Sequence, residues 1–190
     1  MTLSRNTVLE NIKTEKNGIT IEELPFVGKI NLRGNTKDRD FLSNAGSVLD
    51  VLIPTEPNTI ITNTELQIIW LSPNEWLLSF FKNENFIKIF NELNTKLNPE
   101  KTSITDISEN KTVIRIEGNN TSELLRKFIV LNIDNTLNSN LRVAQTIFVK
   151  IPFLSIVVKE FSKITLLDSV LLSWRVSATI KNFSPLLFFW

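Results

Sequence analysis

Trp70-Leu71-Ser72-Pro73-Asn74-Glu75-Trp76-Leu77-Leu78 is the stretch that decides the fold class. Residues Gln67 to Leu71 and Trp76 to Phe80 read as strands, and Ser72-Pro73-Asn74-Glu75 between them has Pro where a type I turn wants it. A hairpin carrying a tryptophan on each arm follows. Trp70 and Trp76 can either fill a core, the use their size favours, or form part of a recognition surface.

Upstream of the hairpin, Ile19 to Glu23 and Lys29 to Arg33 read as short strands separated by Pro25 and Gly28. Asn35 is placed to cap a helix running to Leu49, with Phe41, Leu42, Ala45, Val48 and Leu49 on one stripe. Pro54 and Pro57 end helical possibilities there, because each lacks an amide donor and restricts the residue before it. The segment from Pro54 to Asn58 is therefore an ordered loop, suited to a partner or serving as a plain connector.

Downstream, Asn83 opens a second helix, with Phe86, Ile89, Phe90, Leu93 and Leu97 at helical spacing until Pro99. Ser103 to Ile107 and Thr112 to Glu117 read as a strand pair, and Asn120-Thr121-Ser122-Glu123 has the spacing of a capping box ahead of a short third helix. Gln145 to Ile151 and Leu154 to Val158 suggest a last hairpin around Pro152. Thr165-Leu166-Leu167-Asp168 is placed to cap a fourth helix, with Val170, Leu171 and Trp174 on its buried stripe. The order of elements predicts an α+β fold with largely antiparallel sheets. Residues 1–18 are expected to be partly disordered and 19–190 to form one α+β domain, with a lobe boundary near 94–102.

Composition limits the chemistry. The 190 residues include 21 basic and 20 acidic ones, for a net charge of +1, so no electrostatic footprint for nucleic acid is present. With no His and no Cys, the chain has no Ser-His-Asp or Cys-His relay and no ordinary zinc, haem or iron–sulfur ligand set. Its five glycines form neither a dinucleotide fingerprint nor a phosphate loop. The lack of cysteine fits a reducing cytoplasm, the polar N-terminus does not read as a secretory signal, and no apolar run reaches the roughly 20 residues of a spanning helix.

The remaining candidates each have two readings. Glu22-Glu23 and Asp38-Asp40 are adjacent carboxylates of the kind used in acid–base catalysis, but solvation and the helix dipole account for them more simply. Arg33 and Arg115 follow inward-facing apolar residues, so they meet either a partner's carboxylates or solvent. Gln145 has an amide that serves a chain reversal or a ligand, the structural use being favoured.

Leu32-Arg33-Gly34, Pro54-Thr55-Glu56-Pro57-Asn58, the Trp70–Leu78 run, Asp106-Ile107-Ser108, Val113-Ile114-Arg115-Ile116-Glu117-Gly118 and Gln145-Thr146 occur in an order and spacing that resemble the gamma subunit of heterotetrameric sarcosine oxidase. Residues 160–190 diverge from that pattern. The resemblance implies a fold like that of the folate-binding glycine-cleavage aminomethyltransferase, and assembly with alpha, beta and delta subunits. It implies a complex that oxidises sarcosine to glycine, forms hydrogen peroxide and passes the methyl carbon to tetrahydrofolate or releases it as formaldehyde. FAD, FMN and NAD are then expected in the alpha and beta chains and zinc in delta. The gamma chain itself is expected to hold no catalytic group, cofactor or metal, and to support assembly. Arg33, Pro54, Asn58, Trp70, Trp76, Arg115 and Gln145 are its candidate motif and partner-contact residues. The alternative is a free-standing folate-binding or one-carbon-transfer protein of the same fold.

Overall fold

The computed structural model describes residues 13–136, 142–148, 151–157 and 163–169. In chain order the elements are Lys13–Lys16 (β1), Ile19–Glu23 (β2), Lys29–Arg33 (β3), Arg39–Leu49 (α1), Ile60–Thr62 (β4), Leu66–Ser72 (β5), Glu75–Phe80 (β6), Phe86–Lys96 (α2), Ser103–Asp106 (β7), Lys111–Glu117 (β8), Thr121–Arg126 (α3), Ile133–Thr136 (α4), Val143–Phe148 (β9), Ile151–Val157 (β10) and Lys163–Ser169 (β11). Every strand pair among the described residues is antiparallel, which bears out the α+β reading. The chain divides into two compact units, Val27–Ser108 and the remainder.

The Val27–Ser108 unit is a five-stranded sheet in the order β4-β5-β6-β3-β7. The expected hairpin is present as β5–β6, closed by the pair Ser72 and Glu75, with Trp70 opposite Trp76. An extra residue, Leu71, bulges between Trp70 and Ser72, where a bulge adds right-handed twist to the hairpin. Both helices cover one face. Phe41, Ala45, Val48 and Leu49 of α1, with Phe86, Ile89 and Leu93 of α2, pack on Ile30, Leu32, Leu66, Ile68, Trp76, Leu78 and Phe80. The helical stripes read from the sequence are therefore the buried ones.

The helix starts differ from the sequence expectation. Asp38, not Asn35, caps α1, its Oδ1 accepting from the amides of Asp40 and Phe41. Asn35 instead accepts from the Lys37 amide. Asn85 is the N-cap residue of α2. Asn83 lies further out, and its Oδ1 accepts from the Gly28 amide at 2.7 Å. The stretch 94–102 lies inside this unit, running from the last residues of α2 to the start of β7, and β4 is a strand with no counterpart in the sequence reading.

The second unit carries a six-stranded sheet in the order β1-β2-β8-β11-β10-β9. Its N-terminal hairpin turns at Asn17-Gly18, where φ is +52° and +72°, the two left-handed residues that a type I′ turn demands. Lys13–Lys16 is thus a paired strand within the segment expected to be partly disordered. Gly118 also has a positive φ, and a Cβ there would overlap the Gly18 carbonyl, so the β1–β2 turn sits directly on this glycine.

Four further expectations fail here. The β7 and β8 segments are not a hairpin: β7 pairs with β3 in one sheet, while β8 lies between β2 and β11 in the other. Residues 165–168 do not open a helix. They belong to β11, whose backbone is paired by β8 on one side and β10 on the other, and an apolar run this short does not distinguish strand from helix by its period. Val170, Leu171 and Trp174 lie outside the described residues. Pro152 sits within β10, paired with Ile147, so it is a strand residue and not the centre of the last hairpin's turn. Asn120 makes no side-chain cap on α3. The first turn is instead fixed by Thr121, whose Oγ1 donates to the Gly118 carbonyl at 2.7 Å.

Gly118→Ala is expected to cost about 1–3 kcal/mol, because it combines a disfavoured φ with a backbone overlap. Equilibrium denaturation of the full chain checks this, and an unchanged midpoint would contradict the close approach at Gly18.

Candidate functional site

The motif residues of the Val27–Ser108 unit converge on Trp76. This side chain is 0% exposed, and its indole N–H donates to the Pro54 carbonyl at 2.7 Å. Pro54 is itself buried, and its ring restricts the backbone that presents the acceptor. The Phe41 ring lies 5.6 Å from Trp76, centre to centre, at 34°. Gly34 makes room for it, since a Cβ at that position would overlap Phe41. The Gly34 amide in turn donates to the Asn74 carbonyl at 3.1 Å in the hairpin turn. The Leu32-Arg33-Gly34, Pro54 and Trp76 motifs thus form one continuous packing arrangement.

Trp70, directly opposite Trp76, is half-buried against the same core, but its Nε1 is buried without a hydrogen-bond partner. The two tryptophans are therefore unequal: one indole donor is satisfied and the other is not. Arg33 is exposed at the end of β3, across from Glu75 and Ser103. Asn58 is exposed with φ +59°. Arg115 and Gln145 belong to the other unit. Arg115 lies opposite Glu22 and approaches its carboxylate at 3.5 Å, an ion pair within its own sheet. Gln145 is exposed on β9, opposite Leu154.

Two buried polar clusters were not anticipated. Lys29 is 1% exposed, and its Nζ donates to the carbonyls of Val27 at 3.2 Å and Ser108 at 3.3 Å. The Lys29 amide donates to Ser108 Oγ, and its carbonyl accepts from the Ile107 amide. Ser108 also binds Asp106 Oδ1 through both its amide and its hydroxyl. The Asp106-Ile107-Ser108 motif therefore closes the end of β7 around a buried ammonium. A signal for it was available, because Lys29 begins an apolar strand directly after Gly28. The second cluster corrects the solvated reading of Glu23: this residue is 2% exposed and accepts from the Thr112 hydroxyl at 2.9 Å.

The Val27–Ser108 unit also has a shallow cleft of about 180 Å³ between the end of α1, Asn63–Glu65 and the start of α2. Its polar groups largely bind one another. Asn63 Nδ2 donates to the Leu49 carbonyl, while Asn63 Oδ1 accepts from the amides of Glu65 and Leu66. Asn85 Nδ2 donates to Glu65 Oε2. Small-molecule pockets usually run from about 300 to 1,000 Å³, so this one suits a solvated helix junction better than a cofactor. Among the described residues, no three carboxylates are grouped to hold a metal ion.

Two antiparallel sheets with helices on a face, and motif residues used for packing and strand ends, define an α+β chain of a specific two-unit design. The chain belongs to the sarcosine oxidase, gamma subunit family, whose model matches residues 33–165. No curated protein sequence matches it as a relative. Among solved structures, it is similar to the heterotetrameric sarcosine oxidase from Corynebacterium sp. U-96 in complex with pyrrole 2-carboxylate. The TM-score is 0.76 at 20% identity, over 87% of this chain and 83% of that one. Aspartate kinase from Clostridium acetobutylicum aligns at a TM-score of only 0.39 with 11% identity, over 87% of this chain and 34% of that one, and carries no argument.

The unequal indoles make a direct test. Trp76→Phe leaves the buried Pro54 carbonyl unpaired and is expected to cost about 2 kcal/mol or more. Trp70→Phe removes a donor that has no partner and should cost less. Parallel urea titrations compare them, and an equal or larger loss for Trp70→Phe would contradict this assignment.

Proposed function

We propose that this chain is the gamma subunit of a heterotetrameric sarcosine oxidase, in which it supports assembly rather than chemistry. The observation that carries the reading is the family match over residues 33–165, joined to the use those motif residues have in this fold. Trp76 and Pro54 hold each other, Gly34 admits Phe41, and Asp106 and Ser108 close a strand. The absence of His and Cys from the whole sequence fits the same role.

In this reading the alpha and beta subunits hold FAD, FMN and NAD, delta holds zinc, and the complex demethylates sarcosine to glycine in the cytoplasm. Peroxide is formed, and the methyl carbon goes to tetrahydrofolate or leaves as formaldehyde. Of the candidate residues in the Val27–Ser108 unit, Arg33 and Asn58 are the exposed ones and so the ones able to meet a partner.

Co-expression of the tagged chain with the alpha, beta and delta chains tests the proposal. The tagged chain is expected to retain all three partners, while the chain alone yields no sarcosine-dependent peroxide. A lone chain that oxidises sarcosine would overturn the assembly role. Saturable tetrahydrofolate binding by the isolated chain would instead favour a free-standing one-carbon protein.

A further inference from the structure

We propose that Asn17 is a site of spontaneous backbone modification, and that its conversion to isoaspartate releases β1 from the sheet. Asn17-Gly18 is the one Asn-Gly dipeptide in the sequence. Both residues are exposed and form the two-residue turn between Lys16 and Ile19, which close the ladder. The Gly18 amide is therefore outside the ladder, and where a side chain would stand on Gly18 nothing lies within 4 Å. The nitrogen that must react is unshielded by any Cβ.

The chemistry needs only water. The Gly18 amide nitrogen attacks Asn17 Cγ, forming an N–Cγ bond and a five-membered imide. Asn17 Nδ2 leaves as ammonia, taking up the proton that the Gly18 nitrogen loses. Hydrolysis then opens the ring at one carbonyl to give aspartate, or at the other to give isoaspartate, in which the main chain runs through the former side chain. No oxidant, metal or enzyme enters the balance.

The position of the turn gives this conversion a structural effect. Isoaspartate adds a methylene to the main chain of a two-residue loop, whose length sets the register of the strands it joins. The Gly18 carbonyl also lies so close to Gly118 that a Cβ there would overlap it, leaving the lengthened turn little room to adjust on that side. The side chains of β1 are exposed or half-buried, and its Lys13–Glu22 ion pair spans 3.8 Å at the surface, where such a pair contributes little. β2 is independently secured by β8, from the pair Thr20–Glu117 to the pair Glu23–Ile114.

The test ages the full chain in mildly alkaline buffer, follows it by peptide mass mapping and isoaspartyl methyltransferase labelling, and then measures amide hydrogen exchange. The peptide carrying Asn17 is expected to gain about 1 Da before any other asparagine peptide does, and to accept the methyl label. Amides of β1 should lose protection while those of β2 and β8 keep theirs. Asn17→Gly preserves the positive φ and should abolish the mass gain. Freshly purified Asn17→Asp, measured before its own Asp-Gly bond can cyclise with loss of water, adds the charge without the extra methylene and should retain β1 protection. The proposal is overturned if Asn17 is not the first asparagine converted, if the label is absent, or if the aged chain keeps β1 protected. It is also overturned if Asn17→Asp alone releases the strand.

Discussion

The hydrogen bond from the Trp76 indole to the Pro54 carbonyl is the constraint around which the Val27–Ser108 unit is organised. A fully buried indole must place its N–H on an acceptor, and a proline-restricted loop offers one at low entropic cost. Once Trp76 is oriented, Phe41 packs beside it, Gly34 must lack a side chain, and α1 is placed on the sheet. Residues far apart in sequence are thereby tied to one spot, which gives their order and spacing a packing reason.

The same economy appears in the polar core. Lys29 is buried because its ammonium has carbonyls to bind and because Ser108, held by Asp106, completes its surroundings. Burying a charge is costly unless its hydrogen bonds are supplied, and removing one partner usually costs more than the intact group contributes. A side chain of this kind adds specificity of arrangement to a core otherwise built from non-directional apolar contacts. In the other sheet, the buried Glu23 carboxyl likewise has a side-chain partner, accepting from the Thr112 hydroxyl.

The antiparallel framework, the apolar faces of α1 and α2 and the Trp70–Trp76 hairpin were all readable from period, capping residues and turn chemistry. Features set by pairing between distant segments were not. Ser103 to Ile107 and Thr112 to Glu117 read as a strand pair, yet β7 pairs with β3 in one sheet and β8 with β2 in the other. The 165–168 run became a strand because two neighbouring strands were available to pair it, which no local pattern records. Asn17-Gly18 is a turn signal, but only the strand after it alternates apolar residues while Lys13–Lys16 is polar throughout, so the hairpin depends on pairing rather than on a local pattern. For the candidate residues, type alone distinguished neither Trp70 from Trp76 nor the buried Glu23 from the half-buried Glu22, because satisfaction and burial are tertiary properties.

Lys29 holds Val27 and Ser108 with a single ammonium group, so this unit begins and ends at one point. A module of that shape resembles a bead on a closed clasp: its entry and exit are neighbours, and its interior topology is independent of what lies outside the clasp. Ends within hydrogen-bonding reach of the same atom leave almost no loop to close, which is the end geometry that insertion of a segment into a host chain requires.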